Sequence, residues 1–211
     1  MLEPFPMATD TRNRMIETTA RLIQIQGLHG VSLSDILAAS GAPRGSLYFH
    51  FPGGKEALVL EALRSGVIEA SEALSDCLAA ADHPADGIAE FFRLAARESE
   101  ESGYAFGCPV AGIVLDRPAG ESKLAQACQA ALEEWLAMYR EAFTSAGMAP
   151  DRAERLALTV LSSFEGALIV ARSKESKAPI EAIGQEMSQW IAAALGTPAR
   201  DSGGSRRADG A

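Results

Sequence analysis

The sequence has few cysteines, and none of them stands in a pattern typical of a disulfide or a metal site. Cys77, Cys108 and Cys128 are an odd number and form no Cys-x-x-Cys or Cys/His pair. This spacing favours free thiols in a reducing compartment, and no metal site is predicted. A redox sensor needs an exposed thiol of low pKa, and Cys108, which precedes Pro109, is the one candidate for that role.

Long hydrophobic runs are also missing. No stretch reaches the roughly eighteen uninterrupted apolar residues of a membrane-spanning helix. The first residues, which include Glu3, Pro4 and Pro6, lack the charged and then apolar layout of a signal peptide. We therefore expect a cytoplasmic protein that does not associate with a membrane.

Patterns that would indicate catalysis are equally scarce. The sequence contains no glycine-rich phosphate loop and no Glu-x-x-His pair for a di-metal site, and His29, His50 and His83 lie far apart. An enzyme built on a helical bundle is the alternative from a different functional class, and these absences give it little support. No catalytic residue and no cofactor are predicted.

What the sequence does contain favours an all-α fold. Its residues are 47% hydrophobic, with much Ala and Leu and few β-branched runs. Helical periodicity predicts helices at about 11–26, 55–81, 85–102, 121–146, 151–172 and 178–196, with a short buried helix within 103–120. Asp86 is predicted to cap the helix that follows Pro84.

The stretch from Val31 to Leu58 predicts two short helices that meet at a tight turn. Ser32, followed three residues later by Asp35, has the spacing of a capping box at a helix start. The run Gly41-Ala42-Pro43 ends this first helix, because Gly permits a left-handed residue and Pro disfavours helical angles before it. A second helix is predicted to begin near Pro43.

The second helix has two different sides. Leu47 and Phe51 fall on one side and are predicted to pack, whereas Gly45, Ser46 and Phe49 point the other way. Two short helices joined by a turn of this kind form a helix-turn-helix, whose second helix enters the DNA major groove. A plain helical hairpin fits the same pattern and remains the alternative at this point.

The residue types in and around the second helix suit contact with DNA. Arg44 can donate two hydrogen bonds to guanine, and Phe49 can pack on a thymine methyl group. Tyr48, His50 and Lys55 can reach phosphate oxygens. The predicted DNA-binding residues are Ser32, Arg44, Gly45, Ser46, Tyr48, Phe49, His50 and Lys55.

Positive charge is scarce for a protein that binds DNA, since the formal net charge is −9. The acidic excess lies after residue 66, however, because residues 1–66 contain as many Lys and Arg as Asp and Glu. A neutral head on an acidic body is compatible with DNA binding. It predicts few phosphate contacts per subunit and a dependence on two heads acting together.

The run from Arg12 to Leu63 resembles the DNA-binding domain of the TetR family of bacterial transcriptional repressors. The resemblance is carried by GLHGVSLSDILAASGAPRGSLYFHFPGGKEAL, above all by SLYFHF followed by GKEAL. It implies a three-helix head, joined by a long helix to a body that binds a ligand and dimerises. The predicted domains are 10–56 for the head and 57–196 for the body, with 1–9 and 197–211 disordered.

The same resemblance implies a function. A homodimer would bind a palindromic operator in double-stranded DNA as a repressor, and a small apolar or aromatic effector would release it. An activator, or a redox-responsive regulator of the same fold, remains an alternative.

A second, weaker resemblance concerns the body, where GCPVAGIVLD is similar to the ligand domain of the lincomycin-resistance-type branch of the family. It suggests that this segment lies near an apolar pocket or near the contact with the long helix, although ordinary core is the alternative. The candidate effector-binding residues are Phe92, Phe106, Cys108, Val110, Trp135, Tyr139 and Phe164.

The last two predicted helices have wide apolar faces with small residues between them. Such helices suit a four-helix interface between two subunits, although they could equally close the core of one chain. The candidate dimer-interface residues are Leu156, Val160, Phe164, Leu168, Met187, Trp190 and Ile191.

Overall fold

The computed structural model describes residues 7–116, 120 and 122–196, with side chains from residue 10 onward, and within these ranges the chain is helical without strands. The all-α prediction is confirmed. The helices are α1 (Met7–Gly30), α2 (Leu33–Ser40), α3 (Ser46–His50), α4 (Gly54–Ala79), α5 (Pro84–Glu101), α6 (Ala111–Asp116), α7 (Lys123–Ser145), α8 (Pro150–Lys174) and α9 (Ala178–Ala194).

The predicted disordered ends fall mostly outside the described residues, which do not include 1–6 and 197–211. Residues 7–9 are an exception, because α1 already begins at Met7. Helix α1 thus extends into the segment that was predicted as a disordered lead. The predicted domain boundary at residue 56 stays a prediction.

The head is formed by α1, α2 and α3 and the start of α4. Ser32 caps α2 as predicted: its Oγ accepts a hydrogen bond from the Asp35 backbone N–H at 3.2 Å, and Asp35 Oδ2 accepts one from the Ser32 backbone N–H at 2.9 Å. Gly41 then ends the helix in the left-handed conformation, with φ 66°. Leu47 and Phe51 are buried in the head, as their spacing predicted.

Arg12 on α1 connects the head to the long helix. Its guanidinium donates to Glu61 Oε2 on α4 at 3.2 Å and lies 5.4 Å from the centre of the Phe51 ring. The guanidinium therefore joins α1, α4 and the residue that follows α3.

Helix α1 is longer than predicted and contains a kink. Gly27 has φ 74° and ψ 174°, which is not helical, and the helical turns resume beyond it to Gly30. The predicted end near Gln26 therefore corresponds to the kink. A positive φ of this size favours Gly because it has no Cβ.

The start of α5 differs from the prediction. His83, rather than Asp86, caps the helix, since its Nδ1 accepts a hydrogen bond from the Ala85 backbone N–H at 3.1 Å. Pro84 occupies the first helical turn, where its missing N–H costs no hydrogen bond. Asp86 lies inside the helix and is too late in the chain to cap it.

The body is built from α4 to α9, and its largest helix-to-helix contact is between α5 and α9. This contact is close at Gly184, where a Cβ atom would lie 2.5 Å from Phe92 Cβ. The two helices can approach in this way only because residue 184 has no side chain. Phe92 is thereby enclosed in the core.

The middle of helix α8 is mostly apolar. Within the described residues it is the one helix that reaches the length and composition of a membrane span, with a mean hydropathy of 1.4. This evidence is weak, because the core helices of soluble proteins satisfy the same criteria. In this structure α8 packs against α7 and α9. Only a third of its most apolar stretch is buried, so much of this helix remains uncovered in one chain.

Candidate DNA-binding surface and effector cavity

The surface around α3 exposes several of the predicted DNA-binding side chains. The side chain of Phe49 is 76% exposed and that of Tyr48 is 65% exposed. The side chain of Leu47, the residue before them, is buried. Arg44 and Gly45 are also exposed, at the turn that precedes the helix. This surface presents large aromatic groups to solvent next to an arginine, which is unfavourable in water unless a partner covers them.

Three of the predicted residues already have partners within the head. Ser46 Oγ donates to the Pro43 carbonyl at 2.5 Å and so fixes the turn before α3. Ser32 Oγ donates to Asp35 Oδ2 at 2.5 Å, and hydrogen bonds from Ser32 lower the pKa of Asp35. His50 is half-buried, with its ring 4.9 Å from that of Phe49 in an edge-on arrangement.

Lys55 has a structural contact that the sequence did not predict. Its ammonium group donates a hydrogen bond to the backbone carbonyl of Val31 and thereby holds the start of α4 against the segment before α2. A phosphate contact by Lys55 would compete with this bond. No sequence signal distinguishes the two uses of a lysine at a helix start.

A cavity of about 590 Å³ lies in the body, and helices α1, α4, α5, α7 and α8 contribute to its walls. The volume is typical of sites for drug-sized ligands. Five of the seven predicted effector-binding residues line it, namely Phe106, Cys108, Trp135, Tyr139 and Phe164.

The other two predicted residues, Phe92 and Val110, do not line this cavity. Both are fully buried. The Phe92 ring lies 5.1 Å from that of Phe164, centre to centre, on an edge-on contact, and its Cβ faces Gly184. Phe91, its neighbour in sequence, faces the cavity instead. The sequence could not distinguish these two neighbours, because periodicity does not fix the helix rotation to within one residue.

Glu165 is a cavity residue that the sequence reasoning missed. One of its carboxylate oxygens, Oε1, is buried without a hydrogen-bond partner. Burial raises the pKa of Glu165, and a hydrogen bond with the Cys108 thiol opposes this rise. The signal was present in the sequence, since Glu165 is the only charged residue between Leu156 and Ala171.

The lining of the cavity is also charged. Arg21 on α1 lies with its guanidinium 5.2 Å from the centre of the Phe106 ring. Glu98 on α5 has a raised pKa, first because of burial and then because of the negative charge of Glu101. The cavity therefore combines aromatic walls with several carboxylates.

Cys108 does not have the properties of a redox sensor. Its side chain is buried, and the pKa of its thiol is well above the usual range, first because of burial and then because of the nearby Glu165. A thiol in this environment carries very little thiolate, which is the reactive form. The candidate sensing role is therefore not supported by the structure.

Four of the seven candidate dimer-interface residues are core residues of the single chain. Leu156 and Val160 on α8 and Met187 and Ile191 on α9 are buried. Their apolar stripe faces inward, so it is not available to a second subunit. Phe164 and Leu168 line the cavity, which leaves Trp190, 53% exposed, as the one member on the outer surface.

A different set of apolar residues lies on the outer surface of α8. Leu158, Ile169 and Val170 are exposed there. Leu158 and Ile169 are eleven positions apart, which is close to three full helical turns, so they lie on one side of α8. We call Leu158, Ile169, Val170 and Trp190 the outer apolar patch.

Metal-binding groups do not come together in the part of the chain that the structure describes. No three His, Cys, Asp or Glu side chains there are arranged to hold a metal ion.

Two family models match this chain, one near its start and one in its body. Residues 15–62 match the family model of bacterial regulatory proteins of the tetR family. Residues 84–186 match the C-terminal domain of LmrA/YxaF-like transcriptional regulators.

Two curated relatives cover most of the chain. The HTH-type transcriptional regulator LmrA of Bacillus subtilis is 32% identical over 171 residues, which are 81% of this chain and 91% of the relative. An uncharacterised HTH-type regulator of Mycobacterium tuberculosis, Rv0196, is 30% identical over 196 residues, covering 87% of this chain and 95% of that protein. The relatives are transcriptional regulators rather than enzymes.

Solved structures show the same fold. A TetR transcriptional regulator from Chloroflexus aurantiacus superimposes with a TM-score of 0.76 at 28% identity, covering 89% of this chain and 96% of that one. The regulatory protein TetR from Rhodobacter sphaeroides has a TM-score of 0.78 at 20% identity, covering 85% and 97%. The chain therefore belongs to the TetR family of transcriptional regulators, with a C-terminal domain of the LmrA/YxaF-like type.

Proposed function

We propose that the chain is a cytoplasmic, ligand-responsive repressor that binds a palindromic operator as a homodimer and is released by a small molecule. The observation that carries this proposal is that the cavity of the body also has walls from α1, a helix of the head. Its walls include Glu17, Arg21 and Gln24 of α1 and Gly66 and Glu69 of α4. These two helices connect the cavity to the DNA-binding surface, so a bound ligand touches the elements that position the heads.

The DNA contact is made by the exposed surface around α3. Arg44 reads a guanine edge, Phe49 packs on a thymine methyl group, and Tyr48 lies along the phosphate backbone. Gly45 allows the backbone to approach closely. Ser32, Ser46 and His50 contribute polar groups next to these contacts, although two of the three also hold the local turns.

Two copies of the chain pair through the outer apolar patch. Leu158, Ile169 and Val170 on α8, with Trp190 on α9, give each copy a surface that can pack against the same surface of another. A two-fold axis then relates α8 and α9 of one copy to those of its partner, as in a four-helix bundle. The spacing of the two heads sets the spacing of the operator half-sites.

Contacts between body and head carry the effector signal. Arg172 at the end of α8 donates to the backbone carbonyls of Gln24 at 3.3 Å and Ile25 at 2.6 Å, just before the kink in α1. A ligand need only bind better to the conformation in which the heads no longer match the operator. A coupling free energy of about 1–3 kcal/mol is the usual scale for such an effect.

Selection of bound sequences from random duplex DNA tests the proposal directly. The purified full chain is incubated with the DNA pool at moderate salt, and the stoichiometry of the selected complexes is measured. We expect a palindromic consensus bound by an even number of subunits. No enrichment over random DNA, with or without candidate effectors, would contradict the proposal.

A further inference from the structure

The cavity holds a carboxylate that the protein itself leaves incompletely solvated. Glu165 lies on α8 and lines the cavity, and its Oε1 atom is buried with no hydrogen-bond partner. An unpaired buried polar oxygen costs free energy of folding. A cavity that keeps such a group beside aromatic walls is organised for a ligand that supplies the missing partner.

The walls around this carboxylate are aromatic. Phe91, Phe106, Trp135, Tyr139 and Phe164 all line the same cavity. Aromatic faces carry negative charge density and attract cations. Tyr139 is almost completely buried, and burial followed by the charge of Glu165 raises the pKa of its hydroxyl, so this phenol stays neutral.

Most of the other charged residues of the cavity have the same sign as Glu165. Five glutamates line it, at positions 17, 69, 98, 101 and 165, against a single basic residue, Arg21, whose guanidinium lies over the Phe106 ring. After burial itself, the charges of Glu101 and Glu69 help to raise the pKa of Glu98. A positive group in the cavity relieves this repulsion, whereas a negative group increases it.

We propose that the effector of this protein is an organic cation with an aromatic or apolar body, and that Glu165 binds its positive group. The aromatic walls enclose the body of the ligand. The other glutamates give the cavity an anionic mouth that favours the entry of cations. This inference rests on the proposed function, because it names the chemical class of the effector for the same cavity.

Two probes of matched shape and opposite charge test the inference. Tetraphenylphosphonium and tetraphenylborate both have four phenyl groups around one central atom, and they differ in the sign of their charge. Equilibrium dialysis of the full chain against each ion gives the dissociation constants without any DNA. We expect the cation to bind at least about tenfold more tightly than the anion.

Variants of Glu165 assign this preference to one group. Glu165→Gln keeps the shape and removes the charge, so it is expected to weaken binding of the cation at least about tenfold and not to weaken binding of the anion. Glu165→Asp keeps the charge and is expected to retain the preference for the cation. Glu186→Gln is the matched control, because Glu186 is exposed on α9 and does not line the cavity.

The results that would overturn the inference are distinct from those that would overturn the proposed function. Equal affinity for the two ions, no binding of the cation, or an unchanged cation affinity in a folded Glu165→Gln protein would refute the role of Glu165. If the protein selects a palindrome in the DNA experiment but shows no preference for the cation, the proposed function stands and this inference is refuted. If the protein binds the cation through Glu165 but selects no DNA sequence, the cation site stands and the repressor proposal is refuted.

Discussion

The backbone N–H of His29, at the end of α1, donates a hydrogen bond of 3.2 Å to Oδ2 of Asp116, the last residue of α6. The two residues are 87 positions apart in the chain and join the head to the body. The same carboxylate fills the space beside Gly27, where a Cβ atom would overlap Oδ2. Helix α6 follows the Phe106–Pro109 segment of the cavity wall, so this bond connects the cavity to the kink in α1.

Asp116→Ala is expected to weaken the coupling between effector and operator. The substitution leaves the His29 N–H without its carboxylate partner and empties the space beside Gly27. Binding of tetraphenylphosphonium by equilibrium dialysis should change by less than about threefold, whereas the ratio of operator affinities with and without it should approach one. On the usual scale, this is a loss of about 1–3 kcal/mol of coupling free energy.

Asp116→Asn is the matched control for this prediction. The amide oxygen can still accept the hydrogen bond from His29, so most of the coupling should remain. Equal coupling in the wild type and Asp116→Ala would show that the signal reaches the head by another route, for example through Arg172 and the carbonyls of Gln24 and Ile25.

Arg44→Ala is expected to cost about 1–3 kcal/mol of operator affinity and to relax the preference at one base pair, because Arg44 is proposed to read a base edge. The measurement is a comparison of binding to the selected operator and to its single-base variants. An unchanged sequence preference in Arg44→Ala would refute the base-reading role. Lys174→Ala, at the exposed end of α8, is a control that removes a positive charge far along the chain from the head.

Lys55→Ala is expected to weaken binding to all DNA sequences alike, which is the behaviour of a phosphate contact. The structure adds a second expected effect. Because the Lys55 ammonium also donates to the Val31 carbonyl, the variant should unfold at a lower temperature than the wild type. A normal melting temperature with weaker DNA binding would assign Lys55 to DNA alone.

The sequence predicted the local structure of the head well because the determinants there are local. The Ser32 and Asp35 capping box, the Gly41 terminus and the buried pair Leu47 and Phe51 each follow from residues a few positions apart. Five of the residues predicted for the effector site line one cavity, although their contact with an effector stays a prediction.

The errors concern features that depend on packing between distant segments. Leu156 and Val160 have the periodicity of an interface stripe, but only the packing of α8 against its neighbours decides that they face the core. Phe92 packs in the core because Gly184, more than ninety residues later, leaves room for its side chain. Phe91 lines the cavity in its place. The bond from Lys55 to the Val31 carbonyl is likewise a tertiary contact, without a pattern in the sequence.

Ile169→Glu is expected to convert the proposed dimer into monomers at micromolar concentration. Ile169 is 61% exposed in the single chain and belongs to the outer apolar patch, so a buried, unpaired carboxylate would be placed at the interface. Light scattering gives the mass, and Leu115→Glu, at an exposed apolar residue of α6 outside the patch, is the control. If the Ile169→Glu protein is still dimeric, the interface lies on another surface.

A charge at Trp190 should have the same effect as one at Ile169, because Trp190 is the exposed residue of the patch on α9. A charge at Phe164 is expected to act differently. The Phe164 ring lies 5.1 Å from the rings of both Phe91 and Phe92, so its replacement should destabilise the fold and the cavity before it affects dimerisation.

Peroxide is expected to have the same effect on DNA binding by the wild type and by Cys108→Ser. The thiol of Cys108 is buried and its pKa is well above the usual range, so little thiolate is present to react. The measurement is operator binding before and after treatment with peroxide. Sensitivity that is present in the wild type and lost in Cys108→Ser would restore the redox-responsive alternative.

Glu165→Gln is expected to make the ligand-free protein more stable than the wild type, by an amount that increases with pH. Burial raises the pKa of Glu165 in the folded state above its ordinary value of 4.5. Between these two values the folded state binds more protons than the unfolded state, so the free energy of unfolding of the wild type falls as the pH rises. Well below pH 4.5, the ordinary pKa of the group, both states carry a neutral carboxyl group, and this pH-dependent difference vanishes.

Thermal unfolding at several pH values measures this effect. At about pH 8 the penalty of an unpaired buried carboxylate is on the order of 1 kcal/mol, which corresponds to a melting temperature about 2–4 °C higher in Glu165→Gln. The exposed Glu186→Gln should show no such trend. A melting temperature of Glu165→Gln that follows that of the wild type at every pH would mean that water satisfies the carboxylate in the empty cavity, and the free energy available to an organic cation there would be correspondingly smaller.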